Sequence, residues 1–104
     1  MRIIACDFDG TLCENRFPEI GEPKLHVIEH LKYEQNNGAK IILWTCREGE
    51  FLTRAIEWCK QNGLTFDAVN DNVAESVRMM NCNSRKVFAH EYWDDRSIAC
   101  PKQS

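Results

Sequence analysis

The sequence predicts an α/β domain built on a small parallel sheet. Three observations point there. Apolar runs and amphipathic runs alternate along the chain, as strands and helices do in βαβ units. The candidate strands are apolar on both faces rather than alternating, the mark of a sheet covered on both sides. Polar clusters stand where those strands end, and in open α/β sheets ligands bind outside the carboxyl ends of the strands.

The elements come in order. "MRIIAC" (residues 1–6) is nearly all apolar and reads as the first strand. A loop then leads to a helix over residues 21–38, with Leu25, Ile28 and Leu31 at helical spacing and Val27 beside them. Pro23 suits its first turn and Gly38 its C-terminal cap. "AKIILWT" (39–45) is a second strand. Residues 49–63 form the next helix, with Phe51, Ala55 and Cys59 on one face beside Leu52 and Ile56, and Gly63 closing it. "LTFDAVN" (64–70) is a short strand. Residues 71–81 read as a helix starting at Asp71, with Val73, Val77 and Met80 inward. "KVFAHEYWDD" (86–95) is the last strand. Right-handed crossovers join the parallel strands. No repeat, low-complexity stretch or linker interrupts this order, so residues 1–104 read as a single domain.

Composition narrows the function. Apolar residues make up 43% of the chain, enough for a core. The net charge is -3, from 13 basic and 16 acidic side chains, and a nucleic-acid surface usually shows a basic excess. No run approaches a membrane span and no basic-plus-apolar leader opens the chain, so the expectation is a soluble, cytoplasmic protein. The six cysteines have no C-x-x-C pair, and several sit in apolar runs. They are expected as reduced thiols, neither disulfides nor zinc ligands. His26 and His30 are four apart on a helix, where exposed histidines are far commoner than metal faces.

The chemistry gathers at one rim. Asp7 and Asp9 end the first strand, Thr45 and Arg47 the second, Asp94 and Asp95 the last. Carboxylates this close repel unless a cation, a proton or a substrate compensates. Mg²⁺ favours carboxylates, waters and phosphate oxygens, which makes it the expected partner. Gly10 lets the backbone turn sharply after the aspartates and exposes amides able to hold an anion.

"DFDGTL" at residues 7–12 resembles the first motif of the haloacid dehalogenase superfamily of phosphohydrolases. "IILWT" is similar to its second motif, Lys86 to its third-motif lysine, and "WDD" to its acidic fourth motif. The motifs stand in family order across residues 3 to 95. The resemblance implies a three-layer Rossmann-like core and a Mg²⁺-dependent phosphomonoesterase. Asp7 would be the nucleophile that forms an aspartyl-phosphate, and Asp9 the general acid and then base. Thr45, Lys86, Gly10 and Cys46 would form the phosphate-binding set. Asp7, Asp94 and Asp9, the last through its backbone carbonyl, would hold the metal, with Asp95 reaching it indirectly or through a water.

Two departures bear on substrate and access. Lys86 precedes Asp94 by less than is usual, and "KVFAHEYWDDR" resembles the 5'(3')-deoxyribonucleotidase branch, with Arg96 matching and Arg85 a second candidate for the lysine's role. Neither gap between motifs has room for the cap domain many members insert, so the site is expected to be open unless a neighbouring copy in a homo-oligomer walls it. The expected substrate is a small phosphorylated metabolite, with a nucleotide favoured. Arg47 and Arg16 are candidate substrate contacts, with solvated arginine the alternative for Arg47; Arg16 and Phe17 lie in the loop after the first motif, within expected reach of the leaving group, and Arg96 reads first as a structural arginine paired with a carboxylate. Trp44 and Trp93 read as core residues first and base-stacking residues second. The alternative is a non-catalytic phosphate-binding or scaffold protein of the same fold. A receiver-type signalling domain fits less well, because receivers carry their acidic pair and phospho-acceptor on different strands.

Overall fold

The structure, a computed structural model, describes residues 1–100 of the 104. Its elements are β1 (Ile3–Cys6), β2 (Cys13–Arg16), β3 (Glu19–Pro23), α1 (Leu25–Asn36), β4 (Lys40–Leu43), α2 (Gly49–Gln61), β5 (Ala68–Val69), α3 (Ala74–Met80) and β6 (Glu91–Trp93). Four strands form one sheet in the order β5-β4-β1-β6, and every pairing in it is parallel. The chain is therefore α/β. β1 lies inside the sheet, with β4 on one side and β6 on the other.

Register sets where the strand ends fall. Ile3 faces Lys40 and Cys6 faces Leu43, while Cys6 also faces Trp93. At the carboxyl rim the ladder continues one step further. The Trp44 amide donates to the Cys6 carbonyl and the Asp7 amide to the Trp93 carbonyl, both at 2.9 Å. Those two bonds bring the residues after β1, β4 and β6 side by side.

β1 is buried at all four residues because alternate side chains enter different cores. Ile4 and Cys6 join Ile41 and Leu43 against Ile28 and Leu31 of α1 and Ala55 and Cys59 of α2. Ile3, Ala5 and Ile42 pack on the other face against Val73, Val87 and Ala89. No described helix is long and apolar enough to cross a membrane. Cys6, Cys13 and Cys59 are buried free thiols; Cys46 and Cys82 are exposed ones. Burial pushes Cys59 up to about 12, which keeps it protonated and inert.

Several elements differ from their sequence readings. Residues 13–23 carry an antiparallel hairpin, β2–β3, where a loop and then the first residues of a helix were expected. Its segments "CENR" and "EIGEP" are mostly exposed, so no apolar alternation marks them. Pro23 closes β3 instead of opening a helix, and α1 starts at Leu25, which is exposed. Phe51 likewise faces outward at the start of α2. α3 is shorter than expected: Val73 is buried just before it, and Met80 is exposed where left-handed Asn81 ends it. The last strand keeps only Glu91–Trp93. Ahead of it, Val87 and Ala89 are buried but unpaired in the sheet, and the Phe88 amide donates to Oδ1 of Asn72 at 2.6 Å instead of to a strand.

Candidate active site

A cleft of about 360 Å³ opens at the carboxyl rim of the sheet. The strand ends supply Asp7, Asp9, Thr45, Cys46, Arg47, Asp94, Asp95 and Arg96, and the hairpin supplies Asn15 and Phe17. The three predicted segments thus converge on one cleft.

Asp7, Asp94 and Asp95 form the acidic centre. Each offers a carboxylate oxygen, and the three oxygens lie within 4.8 Å of one another. Burial raises the Asp7 pKa from its ordinary 3.8 to about 6, against a hydrogen bond from the Phe8 amide, and the neighbouring charges of Asp94, Asp95 and Asp9 add to the rise. Burial is the larger cause, and the repulsion that the sequence implied adds to it. A cluster of hard oxygens under mutual repulsion fits a Mg²⁺-like cation.

Gly10 makes the cluster compact. Its φ of +90° is a conformation that side chains other than glycine's rarely tolerate, and an added Cβ would collide with the Asp95 carboxylate. Its role differs from the expected one of anion donor, because its amide is committed to the Cys13 carbonyl at 2.8 Å. Lys24 holds the Gly10 carbonyl through Nζ at 2.7 Å.

Thr45 is set by two local bonds. Its amide donates to Oδ1 of Asn70, and its hydroxyl oxygen accepts the Arg47 amide at 3.1 Å. The hydroxyl keeps a donor proton, and Thr45 lines the cleft. Asn70 itself has a φ of +51°, a left-handed position that asparagine tolerates better than most residues.

Asp9 stands apart from the acidic centre. Arg47 grips it with two bonds of 2.8 Å, Nε to Oδ2 and Nη2 to Oδ1. The Arg47 side chain is 1% exposed. The hydrogen bonds it donates to Asp9 push the guanidinium further up from its ordinary range. An arginine expected as solvated or substrate-facing is therefore a buried partner of the first motif.

Two expected residues lie outside the cleft. Lys86 sits upstream of β6 with its ammonium 5.8 Å from the centre of the Tyr92 ring. Arg16 pairs with Glu14 at 3.0 Å and lines a separate shallow groove on the hairpin. Nor do the tryptophans reach the cleft: Trp93 packs on one core and Trp44 on the other, and the Trp93 ring lies 4.9 Å from His30. Asn15 is the cleft residue that sequence reasoning missed. Phe17, expected in a loop able to touch the leaving group, does line the cleft, and so does Arg96, which was expected mainly as a structural arginine. Asp-Asp-Arg spacing was the available signal for Arg96; nothing local marked Asn15.

No protein-family model matches the chain, and no curated protein matches it. Among solved structures, the chain is similar to a conserved protein coded by locus from Bacteroides thetaiotaomicron. The two share 44% identity over 96% of this chain and 81% of that one, with a TM-score of 0.82.

Proposed function

The chain belongs to the family of the conserved protein from Bacteroides thetaiotaomicron, and from its own rim residues we propose that it is a Mg²⁺-dependent phosphohydrolase of the haloacid dehalogenase type, with that superfamily's three-layer Rossmann-like core. The observation that carries this reading is the convergence of Asp7, Asp94 and Asp95 beside Thr45 in one cleft. Asp7, Asp94 and Asp95 would hold the cation, which when bound supplies positive charge to the phosphoryl oxygens.

In the reaction, an Asp7 oxygen attacks phosphorus and the bond to the leaving oxygen breaks. Asp9 gives that oxygen its proton. Water then attacks the phosphorus of the aspartyl-phosphate. Asp9 takes the water's proton, inorganic phosphate departs, and the Asp7 carboxylate is restored. The Thr45 hydroxyl donates to a phosphoryl oxygen. Arg96, rather than Lys86, is the cleft cation with donors to offer, because the donors of Arg47 are already spent on protein acceptors. The substrate is a small phosphomonoester, with nucleoside monophosphates the first to try. Phe17, 55% exposed at the cleft, takes over the flat contact surface that the tryptophans do not supply.

The test is phosphate release from aryl, nucleotide and sugar phosphates with and without Mg²⁺. Turnover that requires Mg²⁺, a phosphoenzyme trapped in wild type and loss of both in Asp7→Asn are the expected results. Failure to hydrolyse any of them would sink the enzymatic reading and leave the phosphate-binding one.

A further inference from the structure

Arg47 has five N–H donors, and every one of its three nitrogens meets a protein acceptor. Nε and Nη2 hold Asp9. Nη2 also donates to the Glu19 carbonyl at 3.1 Å, and Nη1 to the carbonyls of Pro18 and Phe51 at 3.3 Å each. The guanidinium lies between two rings, 5.1 Å from the centre of Phe8 and 5.0 Å from that of Phe17. No donor remains for a phosphate. A buried cation with all its hydrogen bonds satisfied holds its neighbours in place.

We propose that Arg47 is a positioning residue that aims the Asp9 carboxylate and ties that aim to the β2–β3 turn. The inference rests on the reading of Asp9 as the proton carrier. Each Asp9 oxygen accepts one bond from Arg47 and keeps a lone pair for the proton that moves to and from the leaving oxygen. A proton carrier must sit within hydrogen-bond reach of its target, and a third group that fixes its orientation provides this. The same guanidinium holds Pro18 of the turn and Glu19 at the start of β3, and lies over the Phe17 ring at the cleft. The residue that aims the acid therefore also sets the wall beside the leaving group. Lysine offers a point charge and cannot reproduce this planar fork.

The experiment compares an aryl phosphate, whose leaving group needs little protonation, with an alkyl phosphate, which needs the acid. The ratio of their kcat/KM values within one variant does not depend on the fraction folded. In Arg47→Lys and Arg47→Gln the alkyl substrate should lose about 10- to 100-fold more kcat/KM than the aryl substrate, part of what a positioned acid contributes. In an Asp9→Asn background the Arg47 substitutions should add no further discrimination. Equal losses on both substrates, or the same discrimination without Asp9, would overturn the inference while leaving the phosphohydrolase reading intact. A wild type inactive on both substrates with Mg²⁺ would overturn both. Thermal melts identify a variant that fails to fold, and Arg47→Lys, which retains the cation, serves as the milder of the two.

Discussion

At the residue scale, Asp7 carries two opposed demands. Its carboxylate is the proposed nucleophile, yet the fold disfavours its ionised form through burial and the charges of Asp94, Asp95 and Asp9. Removing the charge should therefore help the fold and harm the reaction. Asp7→Asn is expected to raise the melting temperature of the metal-free protein by several degrees while abolishing turnover. A scanning-calorimetry trace with no rise would count against a cost of holding Asp7 buried and ionised. Gly10 shows the opposite balance. Gly10→Ala places a Cβ on a φ of +90° and against the Asp95 carboxylate. It should cost about 2 kcal/mol or more in denaturant unfolding and weaken Mg²⁺ binding, because Asp95 must move.

Among the elements, the stretch ahead of β6 depends on one side chain. Asn72 is buried, accepts the Phe88 amide through Oδ1 and donates through Nδ2 to Oδ1 of Asn83 and the Ser84 carbonyl. These bonds replace the ladder that residues 83–88 lack. Asn72→Ala should destabilise the protein by about 2 kcal/mol, since a buried side chain that makes three hydrogen bonds is removed. It should also speed amide exchange in residues 83–88 while leaving kcat near wild type, because the rim is formed by other bonds. A large loss of kcat would show that this segment supports the site directly. The hairpin has the converse role. It contributes little to the sheet, but Phe17 and Asn15 reach the cleft from it. It is the part of this small domain that overhangs the rim, in the place where larger relatives of the proposed type insert a cap.

For the whole molecule, the charge at the rim links cation binding to pH. The folded Asp7 has a pKa of about 6 against an ordinary 3.8, so over that interval the folded state binds more protons than the unfolded one. Stability contributed by this group is then highest below about pH 4, falls as pH rises toward 6 and levels off above. A cation that binds the ionised cluster adds stability by mass action, more above pH 6 than below. Melting curves at pH 5 and pH 7.5, with and without millimolar Mg²⁺, should show the larger Mg²⁺ shift at pH 7.5. Asp7→Asn should flatten the pH slope, and equal Mg²⁺ shifts at both pH values would argue against a cation at Asp7.

The order of helices and of the parallel-sheet strands was legible in the sequence, and with it the rim. Apolar runs such as Ile41 to Leu43 must be buried on both faces, and the acidic residues just past Cys6 and Trp93 then fall at adjacent strand ends. Those signals are local, carried by periodicity and by the polar residues that end each run. Tertiary structure alone decided what each polar group meets. Asp9 and Arg47 are 38 residues apart, and no spacing announces that one neutralises the other. The hairpin lies above the rim with most of its residues in water, so it has no apolar pattern to read. Lys86 was expected beside the acidic centre from its spacing to Asp94, but it lies ahead of the short β6 beside Tyr92, while Arg96 lines the cleft. Burial leaves its mark on every residue of a strand, whereas a hydrogen-bond partner is chosen by distance in the folded chain.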